Sequence, residues 1–263
     1  MSRKPYSWLV VVGMISLCIG LSGCGKNADT VAGSSIPIEP GEHVMYGSYQ
    51  GEPVEWRVLD KKDGEILLLS EYGLDAQPFD TSGKSRVDWK DSTIRKWLND
   101  DFYNSAFSEK EKENIVESKS EGFEEYNTSM NLTGGGKPYA YLEREIEDKV
   151  FLLSNTELCA YFSEDPYPGC YSDPYAHKEL LCYPTAYAKQ QLETRYQTET
   201  CGWWLCNHVY EDDSVELVSA YGQGSGTSRE NIKANTKSIA VRPAMWVTWQ
   251  SDMEMVEANQ QVE

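Results

Sequence analysis

The sequence predicts a single α+β domain over residues 42–250, and three observations carry that prediction. Apolar runs with strand spacing open and close the chain. Capped segments with helical spacing lie between them, and no internal repeat appears. The composition is that of a globular protein, 40% hydrophobic and 25% charged over 263 residues.

Residues 43–49 and 54–59 read as strands joined around Gly51-Glu52-Pro53, with Val54, Trp56 and Val58 alternating onto one face. Lys62-Asp63-Gly64-Glu65 is a hairpin turn, because Asp-Gly adopts positive φ at little cost. Residues 66–70 complete a meander, and their unbroken apolar run gives that strand a central position. Asp91 or Ser92 caps a helix that turns Ile94, Trp97, Leu98 and Phe102 to the core. Arg95 and Asn99, four apart, share a face of it, and Asn99 is expected to bond nearby backbone. Ser108-Glu109-Lys110-Glu111 is a capping box for a short helix carrying Ile115 and Val116.

Residues 117–149 are polar, with Gly134-Gly135-Gly136 inside, and read as a long loop. Residues 150–154 read as a buried strand. Ser154 and Glu157 form a second capping box for a helix ending near Phe162. A further helix runs from Thr185 to about Tyr196. Residues 203–205, 215–220 and 239–247 are the closing strands, with a polar loop over 222–237, and residues 251–263 form an acidic tail that frays.

The N-terminus carries an address. Arg3 and Lys4 precede an apolar run over residues 8–21, which is shorter than the ~20 residues that span a bilayer and fits a signal-peptide core. It ends in Leu21-Ser22-Gly23-Cys24, which resembles the bacterial lipobox. That resemblance implies cleavage after residue 23 and acylation, palmitate included, of Cys24. The mature protein is then an extracytoplasmic lipoprotein, anchored by lipid to the bacterial cell membrane. Residues 24–41, rich in Gly, Ser, Asn, Asp and Pro, read as a flexible tether.

Five segments carry a second likeness: Glu55-Trp56-Arg57-Val58-Leu59, the run from Trp89 to Asn99, the run from Asp148 to Ser154, Trp203-Trp204-Leu205, and Val241-Arg242-Pro243-Ala244-Met245-Trp246. Together they resemble a domain-of-unknown-function family of secreted and lipid-anchored bacterial proteins, which implies no established activity. That family commonly has Arg after Trp-Trp-Leu, where this chain has Cys206. A third likeness concerns fold. Gly202-Trp203-Trp204-Leu205-Cys206 with Tyr210, and Ala240-Val241-Arg242, are similar to segments of C-type-lectin-like domains of the formylglycine-generating-enzyme branch. The resemblance implies mixed antiparallel sheets, short helices and long loops. Glu211 stands where that enzyme has its second cysteine, and copper oxidation needs both soft thiolates.

Net charge is −18, which opposes nucleic acid, and no basic face, phosphate loop, dinucleotide fingerprint or Ser-centred elbow occurs. The candidate ligand-binding residues are Trp203, Trp204, Asn207, His208, Tyr210 and Arg242. Strand alternation turns one of the two tryptophans to the core and leaves the other as a stacking platform. Arg57, Arg95 and Arg242 lie in apolar surroundings, so each needs a carboxylate or backbone carbonyl. Cys159, Cys170, Cys182, Cys201 and Cys206 suit disulfides in an oxidising compartment, though spacing does not choose the pairs. Cys206 with His208 has the form of a nucleophile and base. Glu211, Asp212 and Asp213 offer hard oxygens to Ca²⁺, although a solvated loop accounts for them better. The functional expectation is a non-enzymatic binding or interaction domain for a glycan, peptide or envelope partner, with no catalytic residue and no cofactor. The alternatives are an altered enzyme of the formylglycine branch and a purely structural lipoprotein.

Overall fold

The structure, a computed structural model, describes residues 36–84, 87–118, 147–162, 178–193, 198–208, 215–223 and 234–256. In chain order its strands are β1 (His43–Tyr49), β2 (Glu52–Lys62), β3 (Glu65–Ser70), β4 (Ile115–Val116), β5 (Trp203–His208), β6 (Val215–Val218), β7 (Ala244–Thr248) and β8 (Glu254–Met255). The helices are α1 (Thr93–Trp97), α2 (Tyr103–Ala106), α3 (Glu109–Lys112), α4 (Asn155–Phe162) and α5 (Ala186–Gln191). The architecture is α+β: a six-stranded antiparallel sheet ordered β4-β7-β3-β2-β1-β8, and a two-stranded sheet β5-β6.

The meander forms where its turn chemistry dictates. Asp63 and Gly64 take φ of 53° and 91°, the two left-handed residues of a type I′ hairpin. β3 is central, paired to β2 on one side and to β7 on the other, and residues 66–70 are all buried. A bulge in β1 falls between Met45 and Ser48. Gly47 sits in it at φ 69°, and a Cβ there would lie 2.7 Å from the Phe107 ring. Both the conformation and the close approach require glycine.

The helical layer starts at Ser92, whose hydroxyl accepts from Arg95 N. α1 passes through a π-turn at Leu98–Phe102 into α2, and Ile94, Leu98 and Phe102 are buried. Trp97 is only partly buried and meets Tyr49 edge-on. A chain of aromatic contacts runs from Tyr49 through Phe102 and Phe107 to Tyr46 and Trp56, joining helices to sheet. The capping box of Ser108 and Glu111 is complete.

Five expectations need correction. Ile115 and Val116 do not continue α3. They leave it as β4, because the edge of β7 offers Val247 and Trp246 as partners and β-branched residues suit that position. Residues 150–154 are buried but form no strand. Phe151 exchanges two hydrogen bonds with Ala244, and Leu153 O accepts from Cys206 N, so the segment links both sheets. The last strand starts at Ala244, since Ala240 and Val241 bond instead to Gly202, Trp204 and Asp75. The C-terminal tail does not simply fray: Glu254 and Met255 pair with Met45 and Val44 on the open edge of β1. α5 is also shorter than expected, ending at Gln191.

One buried charge pins the helical layer. Asp148 accepts from Trp89 Nε1 at 2.8 Å, Arg95 Nε at 2.7 Å and Asn99 Nδ2 at 3.4 Å. Asn99 also bridges the backbone of Lys149 and Val150. The Trp89, Arg95 and Asn99 spacing therefore builds a socket for Asp148. Asp148→Ala should cost about 3 kcal/mol, because it leaves Arg95 and Trp89 without their acceptor. Urea unfolding at neutral pH measures this, and Glu147→Ala should cost far less.

The tyrosines set an alkaline limit. Burial above all, with negative Asp75 beside Tyr49 and Glu111 beside Tyr46, drives both phenol pKa values above their ordinary 10.0. The folded state thus holds these protons where the unfolded state releases them. Stability from this source is intact below pH 10 and falls as pH rises beyond it. Unfolding midpoints should decline steeply above pH 10, and more gently in Tyr49→Phe.

Candidate functional site

The charged residues of the meander converge at the end of β3. His43 pairs with Arg57 across β1 and β2, and Glu55 lies two residues from Arg57, so all three share the face opposite Trp56. Arg57 grips Glu71 with both fork nitrogens, Nε to Oε2 at 2.9 Å and Nη2 to Oε1 at 2.7 Å. His43 Nδ1 lies 2.6 Å from Glu55 Oε1, and its Nε2 is 3.8 Å from Glu71. The chain after β3 is held in place by Glu71 N donating to Glu55 O and Ser70 N to Pro243 O.

Arg242 comes to the same carboxylate from the core side. It is 0% exposed, donates Nε to Ser70 O at 2.8 Å, and lies with Cζ 5.0 Å from the Trp203 ring centre. Its Nη2 is 3.7 Å from Glu71 Oε2, and neither Nη makes a hydrogen bond among the described residues. Burial lowers its pKa, against the opposing pull of Cys182 and Glu71. Cys182 and Cys201 are buried thiols beside it. Burial opposes a Cys182 thiolate, but the hydrogen bond from Cys201 and the Arg242 charge outweigh it and draw Cys182 down. Cys201 is pushed up, first by its hydrogen bond with Cys182 and then by burial.

Tyr72, 38% exposed, follows Glu71 in the chain, and the backbone O of Tyr183, 48% exposed, accepts from Gly73 N. Burial, then the negative charges of Glu55 and Glu71, raise the Tyr72 pKa. The arrangement offers part-exposed carboxylates, a fixed guanidinium and exposed aromatic faces, a set suited to binding.

The residues singled out in sequence fare differently. Trp203 and Trp204 are both 0% exposed, so neither is a surface platform. Trp203 donates to Leu180 O and Trp204 to Gln77 O, and both faces of β5 are covered. Asn207 is buried, and Cys206 Sγ lies 3.9 Å from its Oδ1. The side chains of His208 and Cys159, and residues Cys24, Cys170, Tyr210, Glu211, Asp212 and Asp213, lie outside the described residues. Among the described residues no group of His, Cys, Asp and Glu could hold a metal ion, and no helix is long and apolar enough to cross a membrane. The three arginines find the partners their surroundings demand: Arg57 takes Glu71, Arg95 takes Asp148, and Arg242 takes Ser70 O with Glu71 nearby. His43, Glu55, Glu71, Tyr72 and Tyr183 were not legible as a site. Only the isolated Arg57 and Arg242 hinted at it.

Glu71 serves two guanidinium groups, so its loss should outweigh the loss of either. Glu71→Ala should cost about 3 kcal/mol by leaving Arg242 buried without a counter-charge. Arg242→Met, which removes the buried charge at similar volume, should cost clearly less. Paired urea titrations of the two variants give the comparison.

Residues 63–249 match a known protein family, starting in the β2–β3 turn and ending just past β7. Glu71, Cys182, Cys201, Trp203 and Arg242 lie within the matched stretch, and β1 precedes it. No curated protein and no solved structure matches the chain. By that match the chain belongs to the DUF6273 family, a domain of unknown function.

Proposed function

We propose that this protein is a lipid-tethered extracytoplasmic binding module of C-type-lectin-like build, whose ligand is a glycan. The carrying observation is the pair of part-exposed carboxylates, Glu55 and Glu71, near exposed Tyr72, with exposed Tyr183 bonded through its backbone to Gly73 in the same run. Sugars offer hydroxyl donors for carboxylates and C–H faces for aromatic rings, and a cluster held by Arg57, His43 and Arg242 is rigid before the ligand arrives. The antiparallel sheets, short helices and tryptophan-rich β5 support the lectin-like arrangement. The acidic surface suits a neutral or cationic ligand rather than an anionic one. The lipobox-like Leu21-Ser22-Gly23-Cys24 supports the anchor.

A glycan array probed with the full chain should return hits, and Tyr72→Ala or Tyr183→Ala should weaken the best of them at least tenfold by calorimetry. Hits untouched by both variants, or a response to basic peptides alone, would overturn the glycan reading. Labelled palmitate should enter the wild-type protein and not Cys24→Ser, which should appear in the soluble fraction. Equal labelling of the two would remove the anchor.

A further inference from the structure

Cys182 and Cys201 meet across a backbone hydrogen bond, Cys201 N to Cys182 O at 2.8 Å. With ordinary backbone bond lengths, that single bond keeps the two Cα atoms within about 6.5 Å, inside the span a disulfide bridges. The side chains converge as well. Cys201 Sγ lies 3.4 Å from Cys182 O. Both sulfurs crowd the position a Cβ on Gly73 would occupy, Cys201 Sγ at 3.2 Å and Cys182 Sγ at 3.5 Å. Both residues are buried, so neither thiol is satisfied by water. The Arg242 guanidinium lies near enough for its charge to bear on both thiols.

We propose that Cys182 and Cys201 are a disulfide pair in the mature protein, stapling residues 178–184 to the start of β5 beneath Glu71 and Arg242. The structure describes the pair in its reduced form. The oxidant is a disulfide, either of a thiol oxidoreductase or of a small thiol. The Cys182 thiolate attacks one sulfur of that disulfide and expels the other as a thiolate. Cys201 then loses its proton and attacks Cys182 Sγ, forming the Sγ–Sγ bond and releasing the first donor sulfur. Two electrons and two protons leave the pair, and the donor ends as two thiols. Because both sulfurs are buried in the finished fold, exchange takes place before the 178–184 segment packs. Gly73 leaves room for both sulfurs, since a side chain there would stand 2.8 Å from Ala240 Cβ and press on the pair. The pairing leaves Cys159, Cys170 and Cys206 outside the staple.

The proposal rests on the extracytoplasmic placement for its oxidant in the cell, but not for its geometry. The full chain is refolded in vitro with oxidised and reduced glutathione, alkylated without reductant, and digested with trypsin and then chymotrypsin, which cuts at Trp203 and Trp204 between Cys201 and Cys206. A peptide linking Cys182 to Cys201 is expected. The oxidised protein should melt roughly 5–10 °C above the reduced one, as expected for a closed loop of this length. Cys182→Ser and Cys201→Ser should each abolish that difference, and Cys206→Ser should preserve it. Free Cys182 and Cys201 after refolding, or a link from either to Cys159, Cys170 or Cys206, would sink the proposal. The same mapping on protein trapped with acid from intact cells tests the location: a bond formed in vitro but absent in cells refutes the extracytoplasmic placement and leaves the geometry standing.

Discussion

A charge removed from water must be met by an opposite charge and by hydrogen bonds, and two buried charges organise this fold under that constraint. Asp148 is met completely. It receives an indole N–H, an arginine and an amide, all from the segment between Trp89 and Asn99. The chain that returns at residue 147 is thereby fixed against α1, and Val150 to Leu153 run on into the core. Arg242 is met only in part. One nitrogen is bonded to Ser70 O, Glu71 stands 3.7 Å from another, and the Trp203 ring covers the guanidinium. The first charge closes the structure, whereas the second leaves a polarised spot beneath its surface.

The central sheet explains why Arg242 lies where it does. β3 is buried on both faces between β2 and β7, so the chain leaving it at Ser70 passes directly beside the segment that precedes β7. Arg242 belongs to that segment and Glu71 to the exit from β3. Backbone bonds from Ser70 to Pro243 and from Leu74 to Val241 bring the two runs together. The side chains of β1 and β2 that face away from Trp56 complete the cluster from the other direction. A polar cluster of this kind gains rigidity from the sheet and chemistry from the segments at its ends.

The second sheet has a role the tryptophans concealed. Alternation on a strand predicts one buried and one exposed side chain, and that holds for a sheet with one face in water. β5 has no such face. Residues 150–154 and 239–241 bond to its neighbourhood, and both indole N–H groups donate to backbone carbonyls, of Leu180 and Gln77. Trp203 and Trp204 are therefore core residues, and among the described residues the exposed aromatics are Tyr72, Tyr183 and Tyr221 instead.

The amino-acid sequence by itself determined whatever depends on neighbours in the chain. The Asp63-Gly64 turn, the Ser92 cap, the Ser108–Glu111 and Ser154–Glu157 boxes, and the alternation of Val54, Trp56 and Val58 all depend on a few consecutive residues whose backbone preferences are local. It also determined that Arg57, Arg95 and Arg242 would need partners, because a guanidinium among apolar residues has no other way to stay charged. Tertiary structure alone decided which partners. Glu71, Asp148 and Ser70 are distant in sequence from the arginines they serve, as Cys182 is from Cys201. Ile115 and Glu254 became strand residues only because β7 and β1 present open edges. Such pairings depend on which unsatisfied groups meet once the sheet is assembled, and local residue preferences contain no record of that meeting.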